Sequence, residues 1–209
     1  MTTIAPHREF IPGTTGWTVD DLDDPEIERL WFQGRYEIVE GVLTIMAAAA
    51  YDSGIALKRL IRIVDTYTIA NGLGDNLATE VDVILNKHRL PIVDAVYLTL
   101  EQLQEQKKAH AATGKRKDFR YGRILVRPAM VIESVSLGHE AHDRETKRHW
   151  YAEAGIPHYW LLDARQRSLE CLLLDGADYR IDQAGRNEDE VRPSLFPGLT
   201  ISLAQLWAE

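Results

Sequence analysis

The chain has a single cysteine, Cys171, so it can form neither an internal disulfide nor a cysteine-based zinc site. That cysteine sits inside the apolar run 169–174, which suits a reducing compartment, and the protein is expected to be cytoplasmic. Long hydrophobic runs are missing as well. The longest, residues 42–51 broken by Thr44, is too short to cross a bilayer, and no membrane association is expected. The opening MTTIAPHREFIPGTTGW lacks the basic-then-apolar order of a signal peptide. Net positive charge is also lacking: a formal charge of -8 argues against a surface coated for nucleic acid. Neither internal repeats nor low-complexity tracts occur.

What is present is an ordinary globular composition, with 45% hydrophobic and 27% charged residues. The length fits one domain over residues 1–209, with residues 1–16 expected to be a flexible N-terminal segment. Charge is unevenly spread. Lys107, Lys108, Lys115, Arg116, Lys117, Arg120, Arg123 and Arg127 face only Asp118 across residues 107–127, a stretch that either tracks phosphates or forms a solvated loop.

Periodicity supplies the elements. Thr18 and Asp21 have the spacing of a capping box and open a short helix, which Pro25 interrupts. Residues 36–46 read as a hairpin turning at Glu40-Gly41. Ala56, Leu60, Ile63, Val64 and Tyr67 line one helical face over 53–71, which Gly72 and Gly74 end. Residues 79–85 alternate polar with apolar, whereas 92–98 and 129–134 are almost continuously apolar, as strands covered on both faces should be. A helix over 142–154 stops at Gly155, a strand follows at 158–163, and 168–174 with 179–181 extend the sheet around Asp175-Gly176. Residues 196–202 lead into a terminal helix. Residues 102–123 fit a helix end, a loop or both.

Two apolar strands each carry an acid. Side chains alternate across a strand, so Ile92, Asp94, Val96 and Leu98 share one face, and Ala129, Val131, Glu133 and Val135 share another. Either acid alone is explained by a reach to solvent or to a nearby arginine. Together they lie at opposite ends of adjacent strands, which antiparallel pairing would bring into register. A hard divalent cation such as Mg²⁺, held by one or two carboxylates, is the natural occupant of such a pair. Lys147 has two readings: an exposed salt bridge to Asp143 four residues earlier, or the end of the sheet-facing stripe Lys147, Trp150, Tyr151 and Ala154, from which it reaches the acids.

Other polar residues read as less specific. His139 and His142 lack the spacing of a helical zinc site and fit a solvated loop entering a helix. Glu80 and Asp82 read as a solvent-facing pair, with a further metal ligand as the alternative, and Glu37 and Glu40 as hairpin surface.

From Trp17 to Leu206 the chain resembles the Uma-type endonucleases, a branch of the PD-(D/E)XK restriction-endonuclease-like superfamily. The resemblance runs through Trp17-Thr-Val-Asp-Asp-Leu, Arg35-Tyr-Glu-Ile-Val-Glu-Gly-Val-Leu and Ile92-Val-Asp94-Ala-Val. It continues in Met130-Val-Ile-Glu133-Ser-Val-Ser136, Asp143-Arg-Glu-Thr-Lys147 and the residues through Asp163, then Phe196-Pro-Gly-Leu. It implies an α/β fold with a core of helix, three strands, helix and strand, plus an N-terminal hairpin and C-terminal strand extensions. It further implies an endonuclease cleaving DNA with Mg²⁺, or Mn²⁺ in its place, held by Asp94, Glu133 and a backbone carbonyl such as that of Ser134. The superfamily lysine usually stands two residues after the second acid. Here that position is Val135, and the resemblance assigns the role to Lys147 on the following helix. Val93 replaces the proline usual before the first acid.

Two other classes compete. One is a nuclease-fold protein that binds nucleic acid or a partner without cutting; the other is a metal-free hydrolase using paired carboxylates, which needs one acid kept protonated. Cleaving both strands of a duplex is most simply done by two copies, so a homodimer is expected.

Overall fold

Residues 51–70 form a helix because their small and aliphatic residues recur on one face, burying Ala56, Leu60, Val64 and Thr68 against a sheet. The structure, a computed structural model, describes residues 9–46, 50–114, 122–136, 138 and 140–208. A 3-10 turn at Val19–Asp23 comes first, closed by Asp21, whose carboxylate accepts from the Thr18 amide and hydroxyl. Pro25 then starts a second helix, α1 (Pro25–Trp31), with the Asp24 side chain capping it. The hairpin β1 (Tyr36–Val39) and β2 (Val42–Ile45) follows, its turn made by Glu40 at φ 49 and Gly41 at φ 77. Two consecutive left-handed residues are what a tight hairpin requires, and only glycine adopts one of them without steric cost.

After α2 (Tyr51–Ala70) come β3 (Leu77–Asp82), β4 (Ile92–Tyr97), α3 (Leu100–Thr113) and β5 (Met130–Ser134). A π-helix (His142–Lys147) runs directly into α4 (Arg148–Glu153) and then β6 (His158–Asp163), β7 (Ser168–Asp175), β8 (Asp178–Arg186), β9 (Glu190–Val191), β10 (Ile201–Ser202) and α5 (Ala204–Trp207). The main sheet has the order β3-β4-β5-β6-β7-β8, with β5 and β6 its one parallel pair among the described residues. A parallel pair needs a crossover, here the π-helix with α4. The expected succession of helix, three strands, helix and strand is therefore present, with α3 inserted between the second and third strands.

Alternation along β5 splits the core. Met130 and Ile132 join α2 and the C-terminal residues Phe196, Ile201 and Leu206 on one side of the sheet. Val131 and Val135 join Tyr151, Ile156 and Tyr159 on the other. A third cluster, with Trp17, Trp31, Ile38, Leu43 and Leu90, lies beneath the hairpin.

Several expectations need correction. The helix over 142–154 opens as a π turn, and the strand at 79–85 ends at Asp82, where Val83 turns away to bridge Ile124. β8 runs on to Arg186, beyond the predicted 181. Of the segment expected to be flexible, residues 1–8 lie outside the described residues. Phe10 packs edge-on against Trp17 and Tyr36, and the Gly13 amide donates to the Leu43 carbonyl, so the rest is pinned to the hairpin. Lys115, Arg116, Lys117, Asp118 and Arg120 of the basic stretch, and His139, also lie outside the described residues. Among those described, no helix is long and apolar enough to cross a membrane.

Candidate metal and catalytic site

β4 and β5 run antiparallel, with Ala95 opposite Ile132 and Tyr97 opposite Met130. One step further along the same register sets Asp94 opposite Glu133, on the face that α4 covers. The two acids are bridged at the backbone: the Ser134 amide donates to Asp94 Oδ2 at 2.8 Å. They line a cavity of about 40 Å³ together with Ser134, His142, Asp143 and Lys147. That is room for a small ion or a water molecule or two, not for a substrate.

Lys147 comes from the crossover. It is 3% exposed, and its Nζ lies 3.0 Å from Glu133 Oε1, 3.7 Å from Glu37 Oε1 and 3.9 Å from Asp143 Oδ1. Both sequence readings of this lysine thus hold in part. It does face Asp143, but the pair is buried, and the ammonium also reaches Glu133. The π turn sets both Asp143 and Lys147 inward, in keeping with the tendency of such turns to occur at functional sites.

Two further side chains fix this centre. Tyr151 donates its hydroxyl to the Glu133 oxygen that Lys147 also contacts. Glu37, expected on the hairpin surface, is 0% exposed. One of its oxygens accepts from the Ile92 amide at 2.9 Å, and the other is buried without a hydrogen-bond partner. Glu40 does lie at the surface, paired with Arg89.

The electrostatics follow from crowding. Glu37, Asp94, Glu133 and Asp143 surround the ammonium of Lys147, with Arg35 acting on Asp94 from the cavity wall, so full ionisation crowds four negative charges around one buried cation. Burial, opposed by Lys147 and reinforced by Asp94 and Asp143, pushes the Glu133 carboxyl up to about 8. Burial also raises Glu37 and Asp94, the latter against the Ser134 hydrogen bond and the Lys147 charge. For Lys147, burial works toward the neutral amine, but the surrounding carboxylates outweigh it and the ammonium is held above its ordinary range. These shifts belong to the cluster rather than to any one member.

Such a cluster is satisfied by a proton or by a cation. Its donor set fits a hard divalent ion: two facing carboxylates on one small cavity, with the Ser134 backbone beside them. Among the described residues, no three His, Cys, Asp or Glu side chains converge as a ready-made cage. The fit is therefore to an ion that takes one or two carboxylates and keeps waters, as Mg²⁺ does.

The remaining polar residues separate from this centre. Glu80 is exposed and paired with Arg35, while Asp82 turns inward to accept from the Trp31 indole at 2.7 Å and to form an ion pair with Arg123 at 3.4 Å. His142 lines the acid cavity with its ring edge-on to Trp150, where a solvated loop was expected.

The sequence model of the Uma2 family, described as "Putative restriction endonuclease", matches residues 25–204. The crystal structure of a putative nuclease from Anabaena variabilis ATCC 29413 superposes with a TM-score of 0.63 at 13% identity, covering 84% of this chain and 91% of that one. At that identity the likeness concerns the fold, which is restriction-endonuclease-like. No curated protein matches the chain significantly.

Proposed function

Given that the chain belongs to the Uma2 family of putative restriction endonucleases, we propose that it is a metal-dependent endonuclease that hydrolyses DNA phosphodiester bonds. Asp94, Glu133 and the Ser134 carbonyl would hold Mg²⁺, with Mn²⁺ as a substitute. The observation that carries this reading is the meeting of Asp94, Glu133 and Lys147 on one small buried cavity. A bound Mg²⁺ supplies a water of lowered pKa and neutralises charge on phosphate oxygens.

The chain's own residues do the rest. The Ser134 amide fixes the Asp94 carboxylate, and Tyr151 with Lys147 fixes that of Glu133. Lys147 keeps its proton, so its ammonium is available to orient the attacking water or to stabilise charge on the pentavalent phosphorus. Phosphate contacts outside the cavity fall to the basic stretch from Lys107 to Arg127. The same reading takes the chain as a single domain acting in the cytoplasm as a homodimer, one copy for each strand.

The test is plasmid nicking with Mg²⁺ or Mn²⁺, comparing the native chain with Glu133→Ala. Nicking that disappears in the variant supports the proposal. Undiminished cleavage by an Asp94→Ala, Glu133→Ala double variant ends it.

One observation favours a second reading, a nuclease fold that binds DNA without cutting. The Glu133 oxygen facing the cluster is already engaged by both Lys147 and Tyr151, and the cavity is small. Calorimetry separates the two: DNA binding without Mg²⁺ or Mn²⁺ binding selects the second.

A further inference from the structure

Beside the acid cavity lies a larger cleft of about 520 Å³, the size of a small-molecule site, walled by Trp31, Phe32, Arg35, Glu80, Asp82 and Arg123. The two hollows share Arg35 and Ile92, so the cleft adjoins the cavity that Asp94 and Glu133 line. We propose that this cleft receives one unpaired nucleobase, and that the substrate is single-stranded or locally unpaired DNA next to the bond being cut. The proposal rests on the nuclease reading and names its substrate class.

The wall is built as a stacking platform. Phe32, at the end of α1, is 53% exposed. The Arg123 guanidinium lies 5.5 Å from the Phe32 ring centre and 5.8 Å from that of Trp31. Arg123 is no loose surface arm: its side chain is 14% exposed and reaches Asp82 at 3.4 Å, which in turn accepts from the Trp31 indole. Trp31 is buried and backs Arg123 from the core, so the surface offered to a base is the exposed Phe32 ring with the Arg123 guanidinium beside it, and such a surface binds any base through its π face.

Charge decides between a base and a phosphate. The cleft holds two guanidiniums, Arg35 and Arg123, against two carboxylates, Glu80 and Asp82, so an anion gains no net attraction there. A neutral base presents donors and acceptors along its edge, and the exposed Arg35–Glu80 pair offers both in return. Glu80 stands at φ 51 within β3, a left-handed conformation that is costly for a non-glycine residue and that clusters at ligand-contacting positions. A base inside a duplex is stacked on both faces and cannot reach the platform, so the nucleotide must be unpaired.

The test measures binding without cleavage. Fluorescence anisotropy in EDTA compares a short single-stranded DNA oligonucleotide with the same sequence as a blunt duplex, for the native chain, Phe32→Ala and Phe32→Leu. Phe32 is half-exposed, so these substitutions leave the fold intact, which circular dichroism checks. The expected result is tighter binding of the single strand by the native chain, a loss of about tenfold or more in Phe32→Ala, and an unchanged duplex affinity. Equal binding of both DNA forms, or a Phe32→Ala affinity that is unchanged or falls equally for both, overturns the proposal. Plasmid nicking is scored separately. Nicking with a silent Phe32→Ala variant keeps the nuclease and removes the base subsite, and the opposite pair of results does the reverse.

Discussion

Lys147 Nζ stands 3.0 Å from Glu133 Oε1, with both side chains withdrawn from solvent. Removing one partner of a buried pair leaves the other charge unsatisfied, at a cost of about 3–5 kcal/mol. Lys147→Met should therefore lower the melting temperature by roughly 6–20 °C, at about 2–4 °C per kcal/mol for a chain of this size. The double variant Lys147→Met, Glu133→Gln should be less destabilised than the sum of its parts, as a double-mutant cycle by chemical denaturation would read. Strict additivity would show that the pair is not coupled.

For activity, Lys147→Ala should keep divalent-ion binding in calorimetric titration while plasmid nicking slows by ~100-fold or more, the scale for one preorganised donor. Loss of ion binding in this variant would reassign Lys147 from chemistry to the assembly of the site.

The pH dependence has a defined sign. The Glu133 carboxyl is raised from 4.5 to about 8, so the folded metal-free chain prefers the protonated acid more than the unfolded chain does. Stability from this source is complete below pH 4.5 and is lost as pH rises through about 8. Glu37 and Asp94 shift in the same direction. Thermal melts in EDTA should therefore fall between pH 5 and pH 8.5, about the span of the shift, and Glu133→Gln should flatten the fall. Added Mg²⁺ should raise the melting temperature more at the upper end. A melting temperature that climbs through this window would contradict the buried acid cluster.

Tyr151→Phe removes the hydroxyl that favours the ionised Glu133. The pH transition in the same melts should move upward, with a stability loss of about 1.5–3 kcal/mol where Glu133 is ionised. A transition that stays in place would show that this hydroxyl does not tune the acid.

Glu37 tests the hairpin's part. Glu37→Ala leaves the Ile92 amide without its acceptor and should cost about 1–3 kcal/mol, whereas Glu37→Gln keeps a carbonyl oxygen there and should cost less. Equal melting temperatures for the two variants would show that the bond contributes nothing.

How much of this was legible varies residue by residue. Asp94 and Glu133 could be found because acids on otherwise apolar strands break a pattern, and Lys147 because it ends a helical stripe. Glu37 could not: it alternates with Ile38 as any hairpin residue does, and its burial depends on how the hairpin seats against Ile92, far along the chain. Asp143 was legible as a partner of Lys147 but not as a buried one, because α and π turns differ by one residue per hydrogen bond and leave the same spacing in sequence. The helix α3 gave little apolar signal. A capping box at Thr99 and Gln102 defines its start, and bonds from Gln106 to Arg123 and Leu125 tie it down. The two-sided core of the main sheet was readable because its central strands are apolar on both faces.

The parallel pairing of β5 with β6 has a consequence for the order of folding. The segment spanning that crossover delivers Asp143 and Lys147, while Asp94 and Glu133 arrive on β4 and β5, antiparallel neighbours that are themselves joined over a long connection through α3. Long-range closures of this kind form slowly, since chain entropy is spent before contacts compensate. The ammonium is therefore delivered only once the crossover closes, and the mutual repulsion of the carboxylates stays low until then because they remain hydrated in the open chain. Catalytic competence should accordingly appear in refolding together with the slowest step that builds the sheet.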